Sequence, residues 1–231
     1  MTAVTGHNVQ LMGDPLMTAL LHLDASARRN SISRGLGAAF TEAWRAEHPD
    51  GTYVHRDLAG DPIPFIGEGW TELCDRVLAH GSTDLDRLGE LADSPAQQEA
   101  WAIAGPLLAE ARAANVILIA TPMYNYSIPA SLKAWLDQIT FPRMSLAPKR
   151  FVVATARGGS YGPGSPKAGY DYQERYLRDF FVGHFAVEDS VFINAELANS
   201  RQDPALAHLR DRHEASYAAA LAAARRLGKE Y

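Results

Sequence analysis

The stretch Val116-Ile-Leu-Ile-Ala-Thr-Pro-Met-Tyr-Asn-Tyr-Ser-Ile-Pro129 decides the fold. Its first five residues are continuously apolar, with no polar residue at alternate positions. A strand of that kind has both faces covered, which is the situation of a central strand in a parallel sheet. The nine residues that follow hold two prolines, two tyrosines and an asparagine. They form a stiff, polar-aromatic connection at the end of a buried strand. A helix over 129–139 comes next, then a second apolar strand over 151–156.

Working outward, the same alternation repeats in both directions. Residues 18–24 (TALLHLD) read as a short buried strand, and Ser31-Ile-Ser33 opens a helix. Ile32, Leu36, Phe40 and Trp44 recur at the spacing of one helical face. Pro49-Asp-Gly51 ends that helix, and 52–57 reads as the second strand. Asp61-Pro-Ile-Pro64 is a turn. Residues 67–95 carry the weakest pattern, a helix-like stretch around Cys74 and then a surface excursion. Helices over 95–113 and 170–185, a strand over 190–194 and a long Ala-rich C-terminal helix complete five strand–helix units. Such alternation predicts an α/β fold with a doubly wound parallel sheet.

Composition agrees with one domain over 17–231. The chain has 231 residues, 47% of them hydrophobic, enough for one sizeable core. The formal charge is −5 and the basic residues are scattered, so no nucleic-acid-binding face is expected. The single cysteine, Cys74, fits a reducing, cytoplasmic setting and is expected to be buried and inert. No apolar run reaches the roughly 20 residues of a membrane span. Residues 1–16 have neither periodicity nor the marks of a signal peptide and are expected to be a disordered extension.

In a doubly wound sheet, ligands bind beyond the carboxyl ends of the strands, where strand order reverses. That rule selects three loops. The first, 24–33, sets Ser26, Ser31 and Ser33 around a helix N-terminus, a place for a monophosphate. Neither a dinucleotide fingerprint nor a P-loop is present. The second loop, 121–129, offers Met123, Tyr124, Asn125 and Tyr126 as an apolar seat with polar donors for a flat heteroaromatic ring. The third, after strand 151–156, places Ala156, Arg157, Gly158 and Gly159 where unhindered N–H groups can stabilise negative charge. Each loop alone also has a plain reading: N-capping by Ser31 or Ser33, a turn with packed tyrosines, a flexible glycine loop.

Taken together, the three loops resemble the FMN-dependent azoreductase family, NADH:quinone oxidoreductases of the flavodoxin-like class. The likeness runs over most of residues 18–228. It is carried by Ser26 with Ser31-Ile-Ser33, Arg56-Asp-Leu-Ala59, Ala120 to Pro129 with Leu132-Lys-Ala-Trp-Leu-Asp137, and Arg157-Gly-Gly159. The resemblance implies a flavodoxin-like five-stranded parallel sheet in the order 2-1-3-4-5. It also implies FMN with its phosphate on Ser26, Ser31, Ile32 and Ser33, its ring on Met123, Tyr124, Asn125 and Tyr126, and its pyrimidine side on Ala156, Arg157, Gly158 and Gly159. NADH or NADPH would reduce it, and a quinone, azo dye or other flat acceptor would follow in a ping-pong cycle, in a homodimer. The cofactor carries the hydride chemistry, so no catalytic side chain is assigned. A relative dedicated to one polycyclic biosynthetic intermediate, or a non-enzymatic electron shuttle, are the alternatives.

The chain departs from the family at three points. The connection 139–150 is shorter than the family's, which predicts a shortened lid and an open pocket, with Phe141 standing in for missing aromatics. Ala156 stands where the family has serine. Gly183 remains where the family has two glycines, with His184 beside it as a structural residue. His208 and His213 lie five apart and share no helical face, no Cys/His cluster exists in sequence, and no metal is expected.

Overall fold

A computed structural model describes residues 18–82 and 84–231. The expected extension over 1–16 lies outside the described residues. Five parallel strands form one sheet in the order β2-β1-β3-β4-β5, with β1 at Ala19–Asp24, β2 at Thr52–Asp57, β3 at Val116–Pro122, β4 at Arg150–Ala156 and β5 at Ser190–Ala195. Six helices connect and cover them: α1 Ile32–Glu47, α2 Glu68–His80, α3 Pro95–Ala113, α4 Ala130–Ile139, α5 Tyr172–Phe185 and α6 Arg210–Glu230. This is the expected flavodoxin-like strand order.

The apolar runs of the central strands explain the two layers. Successive side chains leave a strand on opposite faces. Leu20, Val116, Leu118, Val152 and Ala154 therefore meet Leu36, Phe40 and Trp44 of α1 and Ala220, Ala224 and Leu227 of α6. Leu21, Leu23, Ile117, Ile119, Phe151 and Val153 face the other way, against α2 to α5. All seven residues of β3 are buried, whereas edge strand β2 is half exposed. The α1–α6 contact is close enough that a Cβ on Gly228 would lie 2.4 Å from the Phe40 carbonyl.

Helix ends fall where local chemistry sets them. Ser94 caps α3 by accepting from the Gln97 N–H at 3.2 Å, and Pro95 opens the helix. Ser31 caps α1, accepting from Arg34 N–H at 3.1 Å. In α2 only Leu73, Cys74 and Val77 are buried, which is why this helix is faint in the sequence. Burial and neighbouring Asp75 push the Cys74 thiol up to about 12, so it behaves as a small apolar side chain.

The connection 140–149 does not form a lid. It leaves α4 and enters the amino end of β4, where Arg150 N–H bonds to Asn115 O and Leu146 N–H to Phe185 O. That is the edge of the sheet opposite the three ligand loops. Phe141 is buried between Trp70 and Trp101 (ring centroids 5.7 and 5.8 Å), in the core against α2 and α3. Helices run antiparallel to the strands of a βαβ unit, so a helix-to-strand connection returns to the amino edge. The expectation of a shortened lid and a surrogate aromatic is corrected on that ground.

Candidate functional site

The three loops meet at the carboxyl edge of β1, β3 and β4. They enclose a cavity of about 210 Å³ whose lining includes Ser26, Arg28, Asn30, Ser31 and Ile32 from the first loop. Pro122, Met123 and Tyr124 come from the second, and Ala156 and Gly158 from the third. A larger cleft of about 610 Å³ adjoins it, sharing Asn30, Ser31, Ile32 and Arg201 and extending to Arg210, His213 and Tyr217. The smaller cavity is the candidate site, because its lining draws on all three loops.

The first loop is held from below by Arg34. Its guanidinium donates to the Ser26 carbonyl at 2.8 Å, to Asp57 Oδ1 at 2.5 Å and to Asp24 Oδ2 at 3.2 Å. One side chain thus ties the ends of β1 and β2 to the loop between β1 and α1. Burial and the attraction of Asp57 and Asp24 oppose each other at Arg34, and the net raises its pKa; it stays charged. Ser26 is buried and accepts from Arg28 N–H at 3.2 Å. Ser31 and Ser33 hydroxyls lie 3.0 Å apart, with Ser33 fully covered. The first-turn N–H groups of α1 have no intrahelical acceptor and point out of the helix toward this loop.

In the second loop the backbone makes a tight two-residue turn. Tyr124 N–H bonds to Ser127 O and Ser127 N–H to Tyr124 O, at 3.0 and 2.9 Å. Asn125 (φ 50°) and Tyr126 (φ 68°) both sit in the left-handed region. Asparagine tolerates that conformation, tyrosine less well, so the turn stores strain at the site. Asn125 is exposed at the tip. Tyr126 stacks on Tyr170 (centroids 5.3 Å) and meets Tyr161 edge-on at 6.2 Å. Neither lines the cavity; Met123 and Tyr124 do.

In the third loop, Arg157 is 1% exposed and does not line the cavity. Its guanidinium donates to Asp171 at 2.6 Å, Glu174 at 3.2 Å and Thr155 Oγ1 at 3.0 Å. At Glu174, burial raises the pKa, but bonds from Asn194 and Arg178 and the charges of Arg178 and Arg157 outweigh it and hold the carboxyl below its ordinary value. Gly158 packs closely on a neighbour: a Cβ there would lie 2.7 Å from Asn199 Oδ1, so that side chain would have to shift. Asn199 N–H bonds to Gly158 O, Ala198 N–H to Arg157 O and Leu197 N–H to Gly159 O. Residues 197–199 therefore form a strap that occupies the carbonyls of 157–159, and Ala198 and Asn199 of this strap line the cavity. Gly159 lines the adjoining groove rather than the cavity itself. Sequence reasoning missed this strap, along with Arg28, Asn30 and Arg201; a polar segment after the last strand carries no motif.

The donor set suits FMN on an observation of its own. The first loop brings hydroxyls, Arg28 and a helix N-terminus to the cavity, and the second brings Pro122, Met123 and Tyr124 as an apolar seat. That polarity matches a phosphate joined to a flat ring.

Comparison with known proteins agrees. A family model described as flavodoxin-like fold matches residues 18–219. The chain belongs to that flavodoxin-like family. Within it, the protein is 70% identical over 215 residues to an FMN-dependent NADH:quinone oxidoreductase of Nocardia farcinica, covering 93% of this chain and 100% of the relative. A protein of the same name from Parafrankia is 39% identical over 219 residues, 90% of this chain and 98% of that one. Among solved structures, an azoreductase from Bacillus anthracis superposes with TM-score 0.74 at 22% identity, covering 93% and 100% of the two chains. An FMN-dependent NADH-azoreductase from the same species, in complex with FMN, gives TM-score 0.71 at 21% identity, covering 91% and 100%. These two structures bear on the fold of the flavodoxin-like family.

Proposed function

We propose that the protein is an FMN-dependent NADH:quinone oxidoreductase that passes a hydride from NAD(P)H to a quinone or azo-type aromatic acceptor. The observation that carries the reading is the convergence of the three loops on one polar-to-apolar cavity. The 70% identity to a relative of that name supports it. Bound FMN supplies the hydride chemistry, and the chain's residues orient and polarise it.

Ser26, Arg28, Ser31 and the α1 N-terminus hold the phosphate, with Ile32 and buried Ser33 shaping the first turn. Met123 and Tyr124 seat the ring. Asn125 and Tyr126 act through the turn that fixes the seat. Ala156 and the Gly158 N–H would face the ring's pyrimidine side, where the N–H can stabilise negative charge, while Gly159, in the adjoining groove, acts by fixing that loop. Arg157 acts through its backbone, because its side chain is committed to Asp171 and Glu174. NAD(P)H and the acceptor would use the same space beside the cavity in turn, a ping-pong order. The homodimer and the cytoplasmic setting are part of the proposal. Tyr124, Tyr126, Tyr170 and Tyr172, 37–50% exposed around the site, supply an aromatic surface for a second subunit. No helix among the described residues is long and apolar enough to cross a membrane.

The test is the visible spectrum of protein incubated with FMN and freed of excess. A bound flavin spectrum that bleaches with NADH under anaerobic conditions and returns on adding a benzoquinone is expected. A colourless protein would refute the reading.

A further inference from the structure

On the other side of Arg34 from the phosphate loop, β1 and β2 bring together His22, Asp24 and His55. The parallel register sets His22 directly opposite His55, and Asp24 is two residues on from His22, on the same face. The ring centroids of His22 and His55 lie 5.0 Å apart. One nitrogen of each histidine and one carboxylate oxygen all fall within 4.8 Å of one another.

Two atoms of this group have no hydrogen-bond partner although both residues are almost fully buried. They are His22 Nε2 and Asp24 Oδ1, on residues 4% and 6% exposed. A buried polar atom left unpaired is costly, and two facing each other ask for a shared partner. They are 3.6 Å apart. With metal–ligand distances of about 2.0–2.2 Å, that separation corresponds to a ligand–metal–ligand angle of about 120°, near tetrahedral.

The surroundings are those of a ligand set. His22 Nδ1 lies 3.0 Å from the Tyr53 hydroxyl and 3.3 Å from Thr41 Oγ1, which fixes the ring and leaves Nε2 to bind. Asp24 is anchored through its other oxygen, which accepts from Arg34 at 3.2 Å; His55 Nε2, 2.9 Å from that same oxygen, would exchange this contact and its proton for the ion on binding. Arg34 therefore does not occupy Oδ1. Its charge is shared with Asp57 at 2.5 Å, so the Arg34–Asp24–Asp57 group is net negative. His55, whose side chain is 40% exposed, faces a cleft of about 580 Å³ rimmed by Glu42, Arg45 and Tyr53, an open route and a fourth position. Gly37 makes room for the His22 ring, since a Cβ there would lie 2.6 Å from Nε2.

We infer that His22, Asp24 and His55 form a binding site for one divalent transition-metal ion of the zinc class, distinct from the flavin cavity. Two imidazoles and one carboxylate favour borderline cations over magnesium or calcium. The sequence gives no sign of it because the ligands come from two strands separated by a whole helix.

The test is calorimetric titration of zinc into tag-free, FMN-loaded protein previously dialysed against a chelator, with thermal unfolding alongside. One equivalent should bind to wild type and raise its Tm. His55→Ala, at an exposed position, and the isosteric Asp24→Asn should each weaken that binding by about tenfold or more. His208→Ala, a control on an exposed histidine elsewhere, should leave it intact. Absence of a stoichiometric equivalent, or binding and Tm shift undiminished in His55→Ala, would overturn the assignment.

Discussion

Replacing Arg157 by methionine separates a structural from a ligand-binding role for the third loop. Methionine keeps much of the apolar stem and removes the guanidinium, with its bonds to Asp171, Glu174 and Thr155. All three have the charged guanidinium as donor; the two to carboxylates carry most of the energy, at about 1.5–3 kcal/mol each. Against that, the buried cation no longer has to be desolvated, and Asp171 and Glu174 keep 18% and 22% side-chain exposure to water. Glu174 also keeps Arg178 and Asn194. The balance is a destabilisation of about 3 kcal/mol, at the lower edge of the range for breaking a buried pair. With a urea m-value of about 3 kcal/mol/M for a chain of this size, the unfolding midpoint of the flavin-free protein should fall by about 1 M.

Acid should narrow that gap. A carboxylate whose folded pKa is lowered, as for Glu174, contributes stability above its unfolded pKa, about 4.3, and loses it as pH falls through the folded value. Part of that contribution comes from Arg157, so the two proteins should converge below about pH 4. Flavin affinity of the folded variant at neutral pH should change much less than its stability. Unchanged unfolding with a large loss of flavin affinity would refute the account and return the Arg157 side chain to the ligand.

Three further substitutions probe other levels. Ser31→Ala removes the α1 cap and should cost about 1 kcal/mol in urea unfolding, with weaker FMN retention on gel filtration. Asn125→Val puts a β-branched residue at φ 50°, a left-handed cost of about 1–2 kcal/mol; bound flavin absorbance should fall sharply while the far-UV spectrum stays native. Gly228→Ala drives a Cβ to 2.4 Å from the Phe40 carbonyl; prying α1 from α6 should cost about 1–3 kcal/mol, measured by calorimetric Tm, with the FMN spectrum retained.

Much of the fold was legible because periodicity and end signals agreed. Residues 95–113 emerge as a helix with those bounds because Ser94 and Pro95 mark its start and apolar residues recur along it. Residues 52–57 lie between Gly51 and the Asp57 turn and emerge as β2. The long run at 116–120 fixes a central strand, and β3 extends it through Thr121 and Pro122 because the ladder with β4 continues to Ala156. The helix expected over 170–185 starts later, at Tyr172, because Asp171 caps it by accepting from Glu174 N–H.

The sequence by itself determined the alternation of strands and helices, the loops at the carboxyl edge and their polar, aromatic and glycine character. These follow from local chemistry: side-chain period, capping residues and the φ freedom of glycine. What each loop residue faces was decided only by the tertiary structure. Arg157 turns into a carboxylate pair 14 and 17 residues away, Gly158 packs against the Asn199 side chain, and Phe141 enters a core between two tryptophans. The cluster of His22, Asp24 and His55 exists only through strand register. A side chain's partner across the sheet or a strap is set by how the whole chain closes, and one-dimensional spacing carries no record of that closure.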